Sequence, residues 1–289
     1  MKRGFVTAAT LMMSAALFSS SAFAEDVTKK LDVLPFDGIE CVASCEVKVK
    51  TGASCSAELT CDSQIKDYVL VSVKNNVLHI DFNSKDMPSE LKKVWKAKDS
   101  RIAQFKISVE MPYVKSIDFA GDAQFVSENA TFDSSLLKLN LKDRSRATGL
   151  TVNSKSFTMD ISKNSYASLS TTSENFSVKS SNSANASVKA SSKVVNVESS
   201  NSSLVTINGS AQTLKLNTSG SSTVDAVSMD AGEVTVKMDN SSQANVHTSG
   251  ALNIEMKGNS HLYFKGSPVF NIVKIISSSV EPYSEKASR

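Results

Sequence analysis

From Leu137 onward the chain repeats one pattern: apolar-x-apolar, a polar turn, then a second alternation. The copies read "LKLNLKDRSRATG" from Leu137, "FTMDISKNSYASL" from Phe157, "FSVKSSNSANASV" from Phe176 and "VNVESSNSSLVTI" from Val195. "LKLNTSGSSTVDA" from Leu214, "VTVKMDNSSQANV" from Val234 and "LNIEMKGNSHLYF" from Leu252 complete the series. Successive starts lie 20, 19, 19, 19, 20 and 18 residues apart. The first position is always apolar, and so is the third: Leu139, Met159, Val178, Val197, Leu216, Val236 and Ile254. The tenth residue after each start is Ala147, Ala167, Ala186, Val205, Val224, Ala244 or Leu262. A period of two marks one face of a strand, so each copy is strand, turn, strand. One copy cannot bury its apolar face alone, whereas stacked copies share a continuous core. The pattern predicts an all-β chain, a parallel β-helix or solenoid with coils of about 19 residues. A serial antiparallel β-sandwich or meander is the alternative.

The polar positions sharpen the register. The fourth column runs Asn140, Asp160, Lys179, Glu198, Asn217, Lys237, Glu255. In a parallel stack this places opposite charges side by side from Asp160 to Glu198 and from Lys237 to Glu255. The turns are rich in Asn, Gly and Ser, which accept left-handed backbone or bond it locally. The ninth column, Ser145, Ser165, Ala184, Ser203, Ser222, Ser242 and Ser260, is small throughout, as a tight corner requires. No proline occurs between Pro112 and Pro268, which leaves the ladders unbroken.

The N-terminus has a different design. Lys2 and Arg3 precede an apolar run from Phe5 to Phe18, and Ala22-Phe23-Ala24 supplies small residues for cleavage. Residues 1–24 therefore read as a secretory signal peptide, and the run falls short of the ~20 residues of a membrane span. No later stretch is apolar enough to cross a bilayer as a helix. Export makes the four cysteines, Cys41, Cys45, Cys55 and Cys61, candidates for two disulfides rather than a metal site. They lie along "CEVKVK" and "CSAELTC", which read as a hairpin turning at Gly52. Three connectivities are open, and a nested Cys41–Cys61 with Cys45–Cys55 suits a hairpin best. Residues 25–112 form an N-terminal β region, 113–270 the repeats and 271–289 a closing strand and tail, with 25–280 as one continuous domain. Residues 86–100 read as a short helix with Leu91, Val94 and Trp95 on one face and Trp95 capping an end of the core.

Two further stretches match the repeat design: "FDGIECVASCEVKVKTG" from Phe36 and "VKSIDFAGDAQFVSEN" from Val114. Together with "LHIDF", "ISVEMPYVKSIDFAGDAQF" and the closing "YFKGSPVFNIVKIISSS", they resemble the bacterial secreted family of auto-transporter adhesins with a head GIN domain. The resemblance runs from about Leu34 to Val280. The chain departs from it at Ser44, where a glycine is usual, and in its cysteine cluster. The resemblance implies a right-handed β-helix exported to the cell envelope, in the periplasm, at the outer membrane or outside the cell, and no catalytic residues come with it.

Composition adds exclusions. Lys and Arg number 32 against 29 Asp and Glu, a formal charge of +3 that includes Lys2 and Arg3. There is no basic field for nucleic acid. Three histidines, His79, His247 and His261, stand far apart, and no HExxH, GxSxG or phosphate-loop pattern occurs. No cofactor, catalytic or metal site emerges. The expected role is a non-enzymatic, adhesin-like binding or structural module whose partner is a glycan or an envelope or host surface protein. Lys138, Lys215 and Asn253, in an outward column, are the candidate ligand face. A polysaccharide-active enzyme and a ligand-free periplasmic structural protein are the alternatives. The enzyme requires a carboxylate pair with a basic residue on one face.

Overall fold

The computed structural model describes residues 26–97, 103–127 and 130–284; the expected leader, 1–24, lies outside the described residues. Before the repeats come β1 (Asp26–Leu31), β2 (Gly38–Cys41), β3 (Glu46–Thr51), β4 (Ser56–Asp62), β5 (Val69–Lys74) and β6 (Val77–Phe82). Helix α1 (Ser89–Ala97), β7 (Phe105–Met111), β8 (Ser116–Phe119) and β9 (Gln124–Ser127) follow. The repeats give β10 (Thr131–Leu141), β11 (Arg146–Ser162), β12 (Tyr166–Ser181), β13 (Asn185–Ser200) and β14 (Leu204–Thr218). They close with β15 (Thr223–Met238), β16 (Gln243–Lys257), β17 (His261–Lys265), β18 (Val269–Ile276) and β19 (Ser279–Pro282).

From β11 to β16 each long strand is the second strand of one copy, carried round a bend into the first strand of the next. Neighbouring coils pair in parallel and in the register that the columns define. Leu137 faces Phe157, then Phe176, Val195, Leu214, Val234 and Leu252. All fourteen residues of the first and third columns are buried, and so is the column from Ala147 to Leu262. The protein is thus a β-solenoid with coils of about 19 residues, and parallel pairing of the repeats rules out the meander. Each large side chain in the stack contributes about 1.5–3 kcal/mol by burial. The rings of Phe157 and Phe176 lie 5.3 Å apart, centroid to centroid.

From β11 to β17 each corner is closed by two successive left-handed residues: Lys163 and Asn164, Asn182 and Ser183, Asn201 and Ser202, Gly220 and Ser221, Asn240 and Ser241, Gly258 and Asn259. That is the geometry of a two-residue turn that reverses a strand without splaying it. The corners themselves stack, with Asn164 N–H donating to Asn182 O (3.1 Å) and Ser183 N–H to Asn201 O (3.1 Å). Inside the corner runs a buried serine ladder. Ser145 Oγ donates to Phe119 O (3.1 Å), Ser165 to Leu141 O (3.3 Å), Ser203 to Ser180 O (3.0 Å) and Ser242 to Thr218 O (3.1 Å). Each hydroxyl reaches back to the preceding coil, so the small ninth column ties coils together as well as leaving room. Ser203→Ala removes one such tie and should cost about 1–2 kcal/mol in chemical denaturation.

The N-terminal coils are interleaved in space. β2 lies between β6 and β8, and β3 lies between β7 and β9, all parallel. The first coil of the stack is therefore β6 and β7, with α1 inserted between them. The second is β2 and β3, the third β8 and β9. Antiparallel strands then close this end: β5 on β6, β4 on β7 and β1 on β4. Here the structure corrects the expected hairpin. β3 and β4 do not pair with each other; β7 stands between them, parallel to β3 and antiparallel to β4. Trp95 stacks on Phe82 at 4.8 Å, which in turn meets Phe105 at 5.9 Å, so the helix folds over this end of the core. Val94, expected on the packed face, is instead 59% exposed.

Candidate functional site

The outward positions of the first strand layer form one straight column: Lys138, Thr158, Ser177, Asn196, Lys215, Thr235, Asn253, Asn271. Lys138, Lys215 and Asn253 share this column, but they do not converge. Four strand steps separate Lys138 from Lys215, about 19 Å, and two more reach Asn253, a further ~10 Å. Between them stand only short hydroxyl and amide side chains. Asn253 Nδ2 donates to Glu233 Oε1 (2.9 Å), and Asn271 Nδ2 donates to Asn253 Oδ1 (3.0 Å), so this end of the column is internally bonded. Alongside, Lys179 meets Glu198 at 3.9 Å and Lys237 meets Glu255 at 3.3 Å. These exposed pairs contribute at most about 1 kcal/mol each and chiefly fix which rung faces which.

Two features of the outer surface escaped the sequence reading. On the second layer, at the bend, a shallow hollow of 420 Å³ is lined by Thr151, Ser170, Thr172, Lys189, Ser191 and Ser210. Its only advance signal is the pair of glycines, Gly149 and Gly209, whose left-handed backbone lets the bends pack closely. The other is an acidic run that crosses the interleaved coils: Glu40 beside Asp118, with His79 on the rung before and Asn140 on the rung after. This places two carboxylates on adjacent rungs with a basic residue next to them, the constellation the enzyme reading requires. Both carboxylates are turned sideways, Glu40 Oε2 to His79 Nδ1 (3.2 Å) and Asp118 Oδ1 to the Asn140 amide. The groove beside them, lined by Val42, Phe119 and Lys142, is shallow and open. His247 and His261 sit on the last coils, far from His79, and His261 Nδ1 bonds Ser279 Oγ (2.8 Å).

Of the four cysteines, the structure brings two together. Cys41 and Cys45 are buried with their Sγ atoms 3.1 Å apart, on either side of a tight bend in which Cys45 N–H bonds Ala43 O. The nested pairing fails on register. Cys45 precedes Glu46, which faces Lys106, whereas Cys55 precedes Ser56, which faces Glu110. They therefore lie at opposite ends of β7, roughly 20 Å apart, far beyond the reach of a disulfide. Cys55 instead contacts the Phe36 backbone, and Cys61 faces Phe105. The hydrogen bond to Cys41 and then burial hold the Cys45 thiol well above its usual range, and burial raises that of Cys61. A thiol with a raised pKa stays protonated and unreactive as pH rises through the ordinary thiol range. The reduced native chain should thus alkylate first at half-buried Cys55, with Cys41 and Cys45 labelled only after denaturation, as peptide mass mapping would show.

Among the described residues no cluster of three or more His, Cys, Asp or Glu side chains could hold a metal ion, and no helix is long and apolar enough to cross a membrane. A family model described as putative auto-transporter adhesin, head GIN domain, matches residues 35–268. No curated protein matches the chain. The solved structures that resemble it include a putative adhesin from Parabacteroides merdae ATCC 43184, at TM-score 0.65 and 15% identity over 91% of this chain and 98% of that one. A putative adhesin from Parabacteroides distasonis ATCC 8503 superposes at TM-score 0.61 and 20% identity, over 90% and 98%. A putative lipid binding protein from the same organism superposes at 0.60 and 15%, over 91% and 98%. At these identities the likeness establishes the fold alone.

Proposed function

The chain belongs to the family of putative auto-transporter adhesins with a head GIN domain, and from that membership and the outer surface we propose an exported, non-enzymatic binding module. Its ligand is a glycan or an envelope or host surface protein, held along the column from Lys138 to Asn253. The observation that carries this reading is the column itself: polar side chains repeat at one strand spacing on a flat face, without an enclosed pocket. Such a face suits an extended partner, gripped by many weak hydrogen bonds at once instead of by one deep contact. The lysines at Lys138 and Lys215 add charged donors at two points of the track. Family membership points the same way, to an exported or surface protein.

The test is binding of the purified chain to glycan and surface-protein arrays, beside a Lys138→Ala, Lys215→Ala, Asn253→Ala triple variant and a separate Lys189→Ala variant. The triple variant should bind the recognised ligand at least about tenfold more weakly, a loss of ~1.4 kcal/mol. Lys189→Ala should bind unchanged. A ligand whose affinity falls only with Lys189→Ala would move the site to the hollow on the other layer.

The Glu40 and Asp118 pair favours one other reading, a polysaccharide-active enzyme. Adjacent rungs set the two side chains at about the separation found in retaining glycosidases. That reading requires turnover of a polysaccharide that disappears in Glu40→Gln and in Asp118→Asn; turnover absent from the unmodified chain sinks it.

A further inference from the structure

The two ends of the solenoid are finished differently. The N-terminal end is closed by antiparallel strands, and its outermost strand, β1, presents exposed Lys29 and Lys30, the usual protection of a sheet edge. Among the described residues the C-terminal coil has no such closure: β18 pairs only with β16, and β19 only with β17. The core columns run straight into this coil and stop uncovered. Phe270 continues the column of Leu252 and is 42% exposed, while Ile272 continues that of Ile254 and is 60% exposed. Val269 (66%), Val273 (76%) and Ile276 (49%) surround them. A patch of this extent is what soluble chains reserve for contact, and a solenoid needs a polar terminal repeat unless something else covers it.

We propose that this end binds a second copy of the same chain, tail to tail about a two-fold axis. An axis normal to the strand layers reverses strand direction and keeps each layer in plane. It sets β18 against its counterpart and β19 against its counterpart, antiparallel, so both layers and the core run on through the contact. The end face is β18, the turn at 277–278 and β19, 14 residues a side, fewer than the ~20–30 of a standard interface, so the pairing is expected to depend on concentration. Charge permits it: Lys274 is the single charge on β18 and Glu281 the single charge on β19. The bulge between Ile272 and Lys274 confines regular pairing to Val269–Ile272, and the rest of the contact is side-chain packing. Stacking head to tail would build a filament, but the charged antiparallel edge at the other end offers no matching ladder. An anionic lipid surface fits less well. Lys257, Lys265 and Lys274 are the described cations beside the patch, but Lys274 stands next to Glu255 on the adjoining rung and Glu281 lies on β19.

The test is sedimentation velocity of the full chain over a concentration series, beside Ile272→Asp and Val273→Asp, with flotation on phosphatidylglycerol vesicles. The unmodified chain should sediment at twice its monomer mass as concentration rises. Both variants should stay at the single mass while keeping the same far-ultraviolet circular dichroism, because the substituted side chains are exposed in the monomer. A chain that stays single at every soluble concentration, dimers that survive both substitutions, or growth beyond the dimer would each overturn the proposal. So would a single chain that floats with vesicles, which would assign the patch to lipid.

Discussion

Val197→Asp should unfold the repeats, whereas Asn196→Asp should leave their stability within about 0.5 kcal/mol of the unmodified chain. The two residues are neighbours in sequence and opposite in consequence. Val197 lies in the core, 1% exposed, between Val178 on one rung and Leu216 on the next. A carboxylate there has no partner and no water, and burying an unpaired charge costs several kcal/mol even after local relaxation. Set against a total stability of ~5–15 kcal/mol, that is enough to lose the fold of the stack. Asn196 points outward between Ser177 and Lys215, where a new carboxylate gains a cationic neighbour. Urea denaturation followed by circular dichroism separates the cases. Equal behaviour of the two variants would mean that the register is shifted by one residue.

Gly209→Ala should destabilise the chain by about 3 kcal/mol or more, far beyond the usual cost of one methyl group. Gly209 has φ +114°, and a Cβ there would sit 2.1 Å from Ala190 O and 3.0 Å from Ala190 C on the adjoining coil. Both obstacles are backbone, already fixed by the pairing of Ala190 with Gly209 itself. Nothing can swing aside, so relief requires one coil to move off the next; the φ alone costs ~1–3 kcal/mol for a residue with a side chain. Gly52→Ala is the natural comparison. The three atoms nearest its Cβ all belong to the Glu110 side chain, which can turn away at the cost of its exposed pair with Lys50, and its φ is not left-handed. That variant should change the unfolding midpoint little, and a comparable loss in both would remove the close approach of the bends as the cause.

The repeats were legible because a parallel stack makes the same demand at every coil. One residue type per column is enough to reveal strand, corner and register, and even the pairing of Lys179 with Glu198 follows from counting. What stayed hidden depends on contacts that jump the sequence. β7 inserts between β3 and β4 from more than forty residues downstream, so "CEVKVKTGASCSAELTC" looks like a hairpin and is not one. The cysteine pairing fell with it, since Cys41 and Cys45 meet across a bend rather than across strands. The pattern of β18 does not reveal its exposure either: among the described residues no strand pairs with its outer edge, and Phe270 and Ile272 face solvent. The acidic neighbours Glu40 and Asp118 are 78 residues apart in the chain and become adjacent only through the interleaving of coils.

The central claim is that successive copies stack in register along one axis, and spin labels on the column test it most directly. Single-cysteine pairs are placed at Lys138 with Lys215 and at Lys138 with Asn253, with the native cysteines replaced by serine or alanine. Pulsed electron resonance should then give separations that grow with the number of coils crossed, about 19 Å for four strand steps and about 29 Å for six. Separations that fail to increase from the first pair to the second would contradict a solenoid and return the chain to a folded-back arrangement of hairpins.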